Sequence, residues 1–273
     1  MNNTLGIIAG GGRLPAQLIE SCQAMERPCF VIALEDYADI ETIRHVPHAV
    51  VRLGAVGEAL DHLRRAGAKE LVLAGRVRRP SLSSLRPDLV GAKLLARLGA
   101  AFFSGDDALL KAVVSFLEDE GFKVVASHDI LAGLVAPPGV LGKISPNAQA
   151  MTDIAHGVRV VKTLGQLDIG QAAIIENGYV LGVEAAEGTE TLIERCGKLR
   201  REKNSGVLVK FRKPAQEERV DLPTIGPSTV EQIHKAGFAG IAIEAGGGLI
   251  LDLEATVTEA DALGIFLVGI SDG

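Results

Sequence analysis

The sequence predicts a two-domain α/β fold, with a Rossmann-like parallel-sheet domain first, a mixed α/β domain second and a ligand cleft between them. Three observations support this. Apolar runs alternate with helical patterns through the first half, as in parallel sheets covered by helices. In the second half two apolar runs flank Asn177-Gly178, which signals an antiparallel hairpin. The length of 273 residues favours two domains, at about 100–200 residues per domain.

The first domain is expected over residues 1–133, where strands and helices follow one another. Strands are predicted at Leu5–Ala9, Cys29–Leu34, Glu70–Ala74 and Lys123–Ala126. Helices are predicted at 14–25 and about 56–66, and another begins within 104–107, at Ser104 or the residues after it, and ends near Glu120. Pro15 suits the first turn of the first helix, where no backbone donor is required.

A stiff bend of two prolines and a glycine at residues 136–139 marks the change of domain. The linker is placed at about 134–146, and the second domain covers 134–273. Its predicted elements are a long helix that opens within 145–147 and reaches about 164, hairpin strands at Ala172–Glu176 and Tyr179–Glu184, helices near 188–198, 228–237 and 255–263, and strands at 206–211, 240–244 and 265–270.

The charge and the aromatic content argue against a nucleic-acid partner. The net charge is −6 and aromatic residues make up 4 %, with no Trp, so a nucleic-acid partner is not expected.

Cys22, Cys29 and Cys196 form no CxxC pair, as is typical of reduced cytoplasmic thiols. The sequence shows neither a secretory signal nor an apolar run of about 18 residues. A soluble cytoplasmic protein is therefore expected.

Three glycines, Gly10 to Gly12, stand between the first strand and the first helix. A dinucleotide-binding GxGxxG pattern starting at Gly10 would need a glycine at position 15, where Pro15 stands. Two interpretations stay open. In the first, the backbone of Gly11 and Gly12 contacts a phosphate or a sugar at the helix N-terminus. In the second, the glycines only allow a tight turn that needs positive φ.

Two acidic segments are candidates for holding a divalent cation. Asp106 and Asp107 open a helix, where carboxylates also occur simply because they complement the helix dipole. Glu184 and Glu187 lie beside Gly188 and the Thr189 hydroxyl. Hard carboxylate oxygens suit Mg²⁺, so both segments are candidates, and the structural interpretation stays open for each.

The segment from Gly206 to Gly226 combines cations with an acid. Lys210 stands near the end of a predicted strand, with Arg212 and Lys213 after it. Asp221 precedes a loop that contains proline and glycine, the kind of place where a rigid scaffold presents catalytic groups. An Asx-turn would explain Asp221 equally well. No serine-hydrolase elbow, zincin helix or P-loop occurs.

Five segments, spread over nearly the whole chain, resemble one family: 6–15 (GIIAGGGRLP), 105–110 (GDDALL), 180–190 (VLGVEAAEGTE), 206–226 and 239–245 (AGIAIEA). The family is that of the LpxI-type UDP-2,3-diacylglucosamine pyrophosphatases of lipid A synthesis in Gram-negative bacteria. The resemblance implies cleavage of this UDP-sugar to UMP and 2,3-diacylglucosamine 1-phosphate (lipid X), dependence on Mg²⁺, and attack on the phosphorus nearer the sugar.

The resemblance places catalysis at Asp221. Together with the residue patterns described above, it predicts one set of metal ligands and one set of substrate-binding residues. The expected metal ligands are Asp221, Glu184, Asp106 and Asp107. The expected substrate-binding residues are Gly11, Gly12, Arg76, Glu187, Gly188, Thr189, Lys210 and Thr224, of which Lys210 and Arg76 would neutralise phosphate oxygens. Peripheral contact with the inner membrane and a homo-oligomer stay open, as do two other functions, a nucleotide-sugar oxidoreductase and a non-catalytic carrier of lipid X or a nucleotide sugar.

Overall fold

The computed structural model describes residues 3–81, 84–99, 105–131, 133–214 and 216–271, and the chain divides into two compact units. Unit 1 comprises Met1–Ala132 and Glu217–Asp221, and unit 2 comprises Gly133–Gln216 and Leu222–Gly273. The short segment Glu217–Asp221, which falls within the predicted second domain, therefore belongs with unit 1. Among the described residues, no helix is both long and apolar enough to cross a bilayer.

Unit 1 alternates strands and helices. Its elements are β1 (Thr4–Ala9), α1 (Leu14–Ala24), β2 (Cys29–Leu34), α2 (Ile40–Ile43), β3 (His48–Val51), α3 (Val56–Arg65), β4 (Ala68–Ala74), α4 (Leu89–Leu98), α5 (Asp106–Asp119), β5 (Lys123–Val124) and α6 (Ser127–Ile130). The sheet order is β3-β2-β1-β4-β5, and its strands pair in parallel. This order is that of a Rossmann fold, so the predicted Rossmann-like parallel sheet is confirmed.

The unit 1 core lies on both faces of this sheet. One apolar cluster joins β1 and β2 to Leu18, Ile19 and Cys22 of α1. The other joins the opposite face to α3 and α5, whose Phe116 and Leu117 are buried. The two clusters use alternate residues of the strands, as the two-residue period of a strand requires.

Four elements of unit 1 were not predicted, namely β3, α4 and the four-residue helices α2 and α6. β3 has only four residues and pairs with β2 alone at the sheet edge, so it is too short for a two-residue period to show. α4 presents apolar side chains on both sides: Val90 and Leu94 pack against the core, whereas Leu89 is exposed. The predicted strand after α5 was also too long, because its pairing ends at Val124. Ser104 lies outside the described residues, and α5 begins after Gly105.

Unit 2 is built on a mixed sheet. Its elements are β6 (Gly139–Val140), α7 (Ala148–Gln166), β7 (Ala172–Glu176), β8 (Tyr179–Val183), α8 (Gly188–Gly197), β9 (Val207–Lys210), β10 (Thr224–Ile225), α9 (Pro227–Ala236), β11 (Gly240–Glu244), β12 (Leu249–Ile250), α10 (Leu253–Leu263) and β13 (Phe266–Ile270). The main sheet has the order β6-β13-β11-β9-β7-β8. Its centre, β9-β11-β13, is parallel, while β6, β7 and β8 pair antiparallel.

The hairpin predicted in the second half is present. β7 and β8 pair antiparallel around Asn177 and Gly178, whose φ values are 49° and 80°. Positive φ at both central residues is the mark of a type I′ turn, which Asn-Gly favours. The buried carboxylate of Asp153 accepts hydrogen bonds from both turn N–H groups, at 2.7 Å from Asn177 and 2.8 Å from Gly178. The turn is therefore fixed to α7.

Helices cover both faces of the unit 2 sheet. α8, α9 and α10 pack on one face through a cluster that includes Ile174, Leu208 and Ile241. α7 packs on the other face, where Val209 lies. α7 approaches most closely at Gly157, where a Cβ would lie 2.6 Å from a methyl carbon of Val209. A larger residue at 157 would force the helix away from the sheet.

Cys29, at the start of β2, has a perturbed thiol. A hydrogen bond from Cys22 lowers the pKa of Cys29 to about 7, although burial acts in the opposite direction. Because the thiolate is the reactive form, alkylation of Cys29 by iodoacetamide should rise with pH and reach half its maximal rate near pH 7. Cys22→Ala should move this midpoint towards the ordinary thiol pKa of about 8.5. Mass spectrometry of the alkylated peptide measures both, and an unchanged midpoint in Cys22→Ala would contradict the pairing.

Candidate active site

Two turns lie side by side at the carboxyl edge of the unit 1 sheet, one after β1 and one after β4. The N–H of Gly10 donates to the carbonyl of Ala74 at 2.8 Å. Gly11 and Arg76 exchange two backbone hydrogen bonds, of 2.9 and 2.8 Å. β1 and β4 lie where the strand order reverses, and open α/β sheets bind their ligands outside such a point.

Close packing of the two turns explains two of the glycines. A Cβ on Gly10 would lie 2.7 Å from the carbonyl oxygen of Arg76, and a Cβ on Gly75 would lie 2.6 Å from that of Gly11. Gly12 has a φ of 98°, and no described atom lies within 4 Å of the position that its Cβ would take. Close packing and positive φ are therefore sufficient structural reasons for glycine at these positions. Substrate contact by Gly11 and Gly12 remains a prediction.

The same edge of unit 1 is cationic. Arg76 is exposed beside Gly11, and Arg78 and Arg79 follow it, also exposed. α1 begins next to the glycine turn, with no side-chain cap at its N-terminus. A helix N-terminus carries a partial positive charge. This edge of unit 1 therefore suits a phosphate group, and the contact of Arg76 with a phosphate remains a prediction.

In unit 2, four of the predicted site residues come together. Lys210, only 4 % exposed at the end of β9, donates to the hydroxyl of Thr189 at 2.8 Å and to the carbonyl of Thr224 at 3.2 Å. The Thr189 hydroxyl in turn donates to the buried carboxylate of Glu184 at 2.5 Å. Thr189 thus links the buried side chains of Lys210 and Glu184, and each of them has the hydrogen-bond partner that a buried polar group requires.

The start of α8 holds two further predicted residues. Glu187 is the N-cap position, and Gly188 follows it with a φ of 79°. Arg195 binds the Glu187 carboxylate at 2.9 Å. Burial alone would raise the pKa of Glu187, but hydrogen bonds from its own backbone N–H and from Arg195 outweigh it and lower the pKa. Glu187 therefore stays ionised and is held by Arg195, and its contact with substrate remains a prediction.

A second buried carboxylate, which was not predicted, lies at the end of β11. Glu244 is 2 % exposed and accepts hydrogen bonds from the backbone N–H of Arg212 at 2.9 Å and from its Nε at 3.0 Å. Gly247 makes room for it, since a Cβ there would lie 2.5 Å from the carboxyl carbon. The available signal was an acid two residues before three consecutive glycines at 246–248. Glu244 fixes the side chain of Arg212 close to the end of β9.

Asp221 belongs to unit 1, although the chain passes into unit 2 at the next residue, Leu222. It ends the segment Glu217–Asp221, which packs with unit 1. Its N–H donates to the carbonyl of Glu217 at 3.2 Å, so the segment forms a turn. Val220 packs against the cluster that contains Phe116 and Leu117. The side chain of Asp221 is half-buried at the end of this turn.

The predicted metal ligands are divided between the two units: Asp106, Asp107 and Asp221 belong to unit 1 and Glu184 to unit 2. No set of three or more His, Cys, Asp or Glu side chains in the described part of the chain is arranged to hold a metal ion. Asp106 pairs with Arg79 at 3.0 Å, and Asp107 pairs with Lys111 at 2.7 Å. Glu184 belongs to unit 2 and accepts from Thr189. Asp106, Asp107 and Glu184 are each bound to a protein partner, so these three acids fit Mg²⁺ poorly as they stand. Binding of Mg²⁺ by Asp221 remains a prediction.

Two family models match the chain, one for each half. Residues 4–134 match the model described as the LpxI N-terminal domain, and residues 137–268 match the LpxI C-terminal domain. The chain is also 43 % identical over 272 residues to a Caulobacter vibrioides protein named UDP-2,3-diacylglucosamine pyrophosphatase LpxI, and the match covers 97 % of each chain. The site residues of both units lie inside the matched ranges.

Solved structures resemble the chain only weakly. CobK precorrin-6A reductase is 11 % identical, with a TM-score of 0.35 over 99 % of this chain and 88 % of its own. UDP-glucose 4-epimerase of Thermus thermophilus, in complex with NAD, is 14 % identical, with a TM-score of 0.33 over 98 % of this chain and 86 % of its own. Neither likeness bears on the function of the chain.

Proposed function

The chain belongs to the LpxI family, and we propose that it hydrolyses UDP-2,3-diacylglucosamine to UMP and 2,3-diacylglucosamine 1-phosphate, a step of lipid A biosynthesis. The observation that carries this proposal is the 43 % identity over 97 % of the chain to a protein named for that activity. Both family models, which together run from residue 4 to residue 268, support it. The cationic edge of unit 1 and the buried Lys210 of unit 2 agree with a phosphate-bearing substrate.

The reaction requires a water molecule to attack one phosphorus of a diphosphate that is already negatively charged. In the proposed mechanism Asp221 orients this water and accepts its proton. The water oxygen forms a bond to the phosphorus nearer the sugar, the bond from that phosphorus to the bridging oxygen breaks, and UMP leaves. General-base assistance of this kind contributes about 10²–10⁴-fold to a rate.

The phosphate oxygens gain charge as the leaving group departs, so fixed cations favour the transition state. Lys210 and Arg76 are proposed to supply this charge. Lys210 is well suited, because its Nζ is already fixed by the Thr189 hydroxyl at 2.8 Å and needs little reorganisation. Thr224 contributes through its carbonyl, which accepts from the same Nζ at 3.2 Å.

Three further features belong to this proposal. Hydrolysis depends on a divalent cation, Mg²⁺, as the family resemblance implies. No step is assigned to the cation, because Asp106, Asp107 and Glu184 are bound to protein partners. The protein works in the cytoplasm of a Gram-negative bacterium. It contacts the inner membrane peripherally, since its substrate carries two acyl chains that partition into lipid.

A product assay tests the proposed function. The purified protein is incubated with UDP-2,3-diacylglucosamine in oxygen-18-labelled water, with Mg²⁺ or with EDTA, and the products are identified by mass spectrometry. We expect UMP without label and a lipid phosphate that carries one labelled oxygen, formed with Mg²⁺ only. Label in UMP would contradict the site of attack, and full activity in EDTA would contradict the metal requirement.

The same assay separates an enzyme from the other two functions. A carrier of nucleotide sugars or of lipid X would retain the substrate without producing UMP. An oxidoreductase would show the absorbance of a bound nicotinamide or flavin and would need that cofactor for turnover. Absence of UMP under every metal condition would refute the hydrolase proposal.

A further inference from the structure

The segment that ends in Asp221 is tied to helix α5 by a cluster of specific contacts. The backbone N–H of Glu217 donates to Asp107 Oδ1 at 2.7 Å, across 110 residues of sequence. The side chain of Asp107 is 13 % exposed, and Lys111 binds its other oxygen at 2.7 Å. Asp107 therefore uses both carboxylate oxygens on protein partners, one of which is the first residue of the segment.

Arg219 provides a second tie between the same two elements. Its Nε and Nη2 bind the two carboxylate oxygens of Glu217, at 2.7 and 2.9 Å, in a bidentate pair. Its Nη1 binds Glu118 of α5 at 2.6 Å. The hydrogen bonds from Arg219 lower the pKa of Glu217, so this carboxylate stays ionised. A bidentate pair fixes direction as well as distance.

The geometry of the turn carries these ties to Asp221. The N–H groups of Val220 and Asp221 both donate to the carbonyl of Glu217, each at 3.2 Å. Glu217 is thus the point to which Asp107, Arg219 and the backbone of Asp221 are all attached. A shift of Glu217 would move the Asp221 carboxylate with it, since one turn of backbone separates them.

We propose that Asp107 and Arg219 are positioning residues, which hold Asp221 in its working place on unit 1, and that Asp107 is not a metal ligand. This inference rests on the proposed function of Asp221. It reassigns Asp107 from the metal-binding role that the sequence pattern indicated. A displacement of about 1 Å at a reacting group can cost about 10²-fold in rate, so small movements of the segment are enough to matter.

The test compares substitutions that break the ties with substitutions that keep them. Asp107→Ala removes the acceptor for the Glu217 N–H, whereas Asp107→Asn keeps an oxygen that can accept it. Arg219→Ala removes both ion pairs, whereas Arg219→Lys keeps a cation. Asp119→Ala is the control, because Asp119 also lies on α5 and pairs with an arginine, but outside the segment. Circular dichroism and melting temperature verify that each variant is folded.

We expect Asp107→Ala and Arg219→Ala to lower kcat by about 10–100-fold with little change in KM. Asp107→Asn should restore kcat to within about 3-fold of wild type, and Asp119→Ala should match wild type. Arg219→Lys should lie between Arg219→Ala and wild type, because lysine keeps the cation but not the bidentate pair. The Mg²⁺ concentration for half-maximal activity should be the same in Asp107→Asn as in wild type. A purely structural role would instead lower the melting temperature and leave kcat of the folded fraction unchanged.

Two results would overturn the inference. Wild-type kcat in folded Asp107→Ala and Arg219→Ala would remove the positioning role, and a tenfold higher Mg²⁺ requirement in Asp107→Asn would make Asp107 a ligand. If Asp107→Ala does not fold, the two Arg219 variants and Asp107→Asn decide the question. Asp221→Asn is assayed in parallel. If it keeps full activity, the proposed role of Asp221 fails. If it is inactive while Asp107→Ala and Arg219→Ala are fully active, only the positioning role is refuted.

Discussion

Asp221→Asn is expected to lower kcat for UDP-2,3-diacylglucosamine hydrolysis by about 10²–10⁴-fold, the usual contribution of a general base. Asparagine has the same shape, so the hydrogen bond from the Asp221 N–H to Glu217 and the packing of Val220 should persist. The amide cannot accept the proton of the attacking water. The loss should therefore appear in kcat, measured as UMP release under saturating substrate, with the melting temperature nearly unchanged.

Asp61→Asn is the matched control for this experiment, because Asp61 is an exposed acid on α3 of the same unit. It should keep wild-type kcat. Turnover in Asp221→Asn within a few-fold of wild type would exclude Asp221 as the base. Equal losses of kcat and of folded protein would point instead to a structural role.

Lys210→Met is expected to have the second largest effect, on stability and on substrate binding together. Methionine fills similar space but leaves the Thr189 hydroxyl and the Glu184 carboxylate without their buried cation. Removing one partner of a buried charge pair costs about 3–5 kcal/mol. The lower value, about 3 kcal/mol, is expected because Thr189 lies between the two charges. At about 2–4 °C per kcal/mol for a chain of this size, the melting temperature should fall by about 6–12 °C.

The same substitution should raise KM, because Lys210 is proposed to bind a phosphate oxygen. Lys235→Met is the control, since Lys235 is 73 % exposed and pairs with Glu231 on its own helix. Its melting temperature and KM should stay close to wild type. A Lys210→Met protein with an unchanged melting temperature would show that the buried network does not contribute to the stability of unit 2.

Local patterns were sufficient to predict most of the elements that form the two sheets. The bounds of β1, β2 and β4, of α7, and of the hairpin strands agree with prediction within about two residues, which is the usual uncertainty of helix and strand ends. The periods of apolar residues and the Asn177-Gly178 turn are properties of neighbouring residues, so they can be read without the fold. β3, α2 and α6 were not predicted because each has only four residues, and α4 was not predicted because it is apolar on both sides.

The candidate site was likewise predicted only in part. Residue chemistry made Lys210, Thr189 and Asp221 candidates, since cations, hydroxyls and acids near glycines stand out in an apolar chain. The family resemblance, not the residue pattern, selected Asp221 as catalytic. Their partners could not be predicted. The hydrogen bond from Glu217 to Asp107 spans 110 residues, and the one from Arg212 to Glu244 spans 32. No local pattern records such pairs.

The amino-acid order alone established the kinds of chemical group, the strands and helices that carry them, and the resemblance to a family. Folding decided the rest: that Asp221 belongs to unit 1, that Asp107 binds a backbone N–H, and that Thr189 joins Lys210 to Glu184. The physical reason is that secondary structure follows from contacts within a few residues, whereas the partner of a buried charge is chosen by packing between distant parts of the chain.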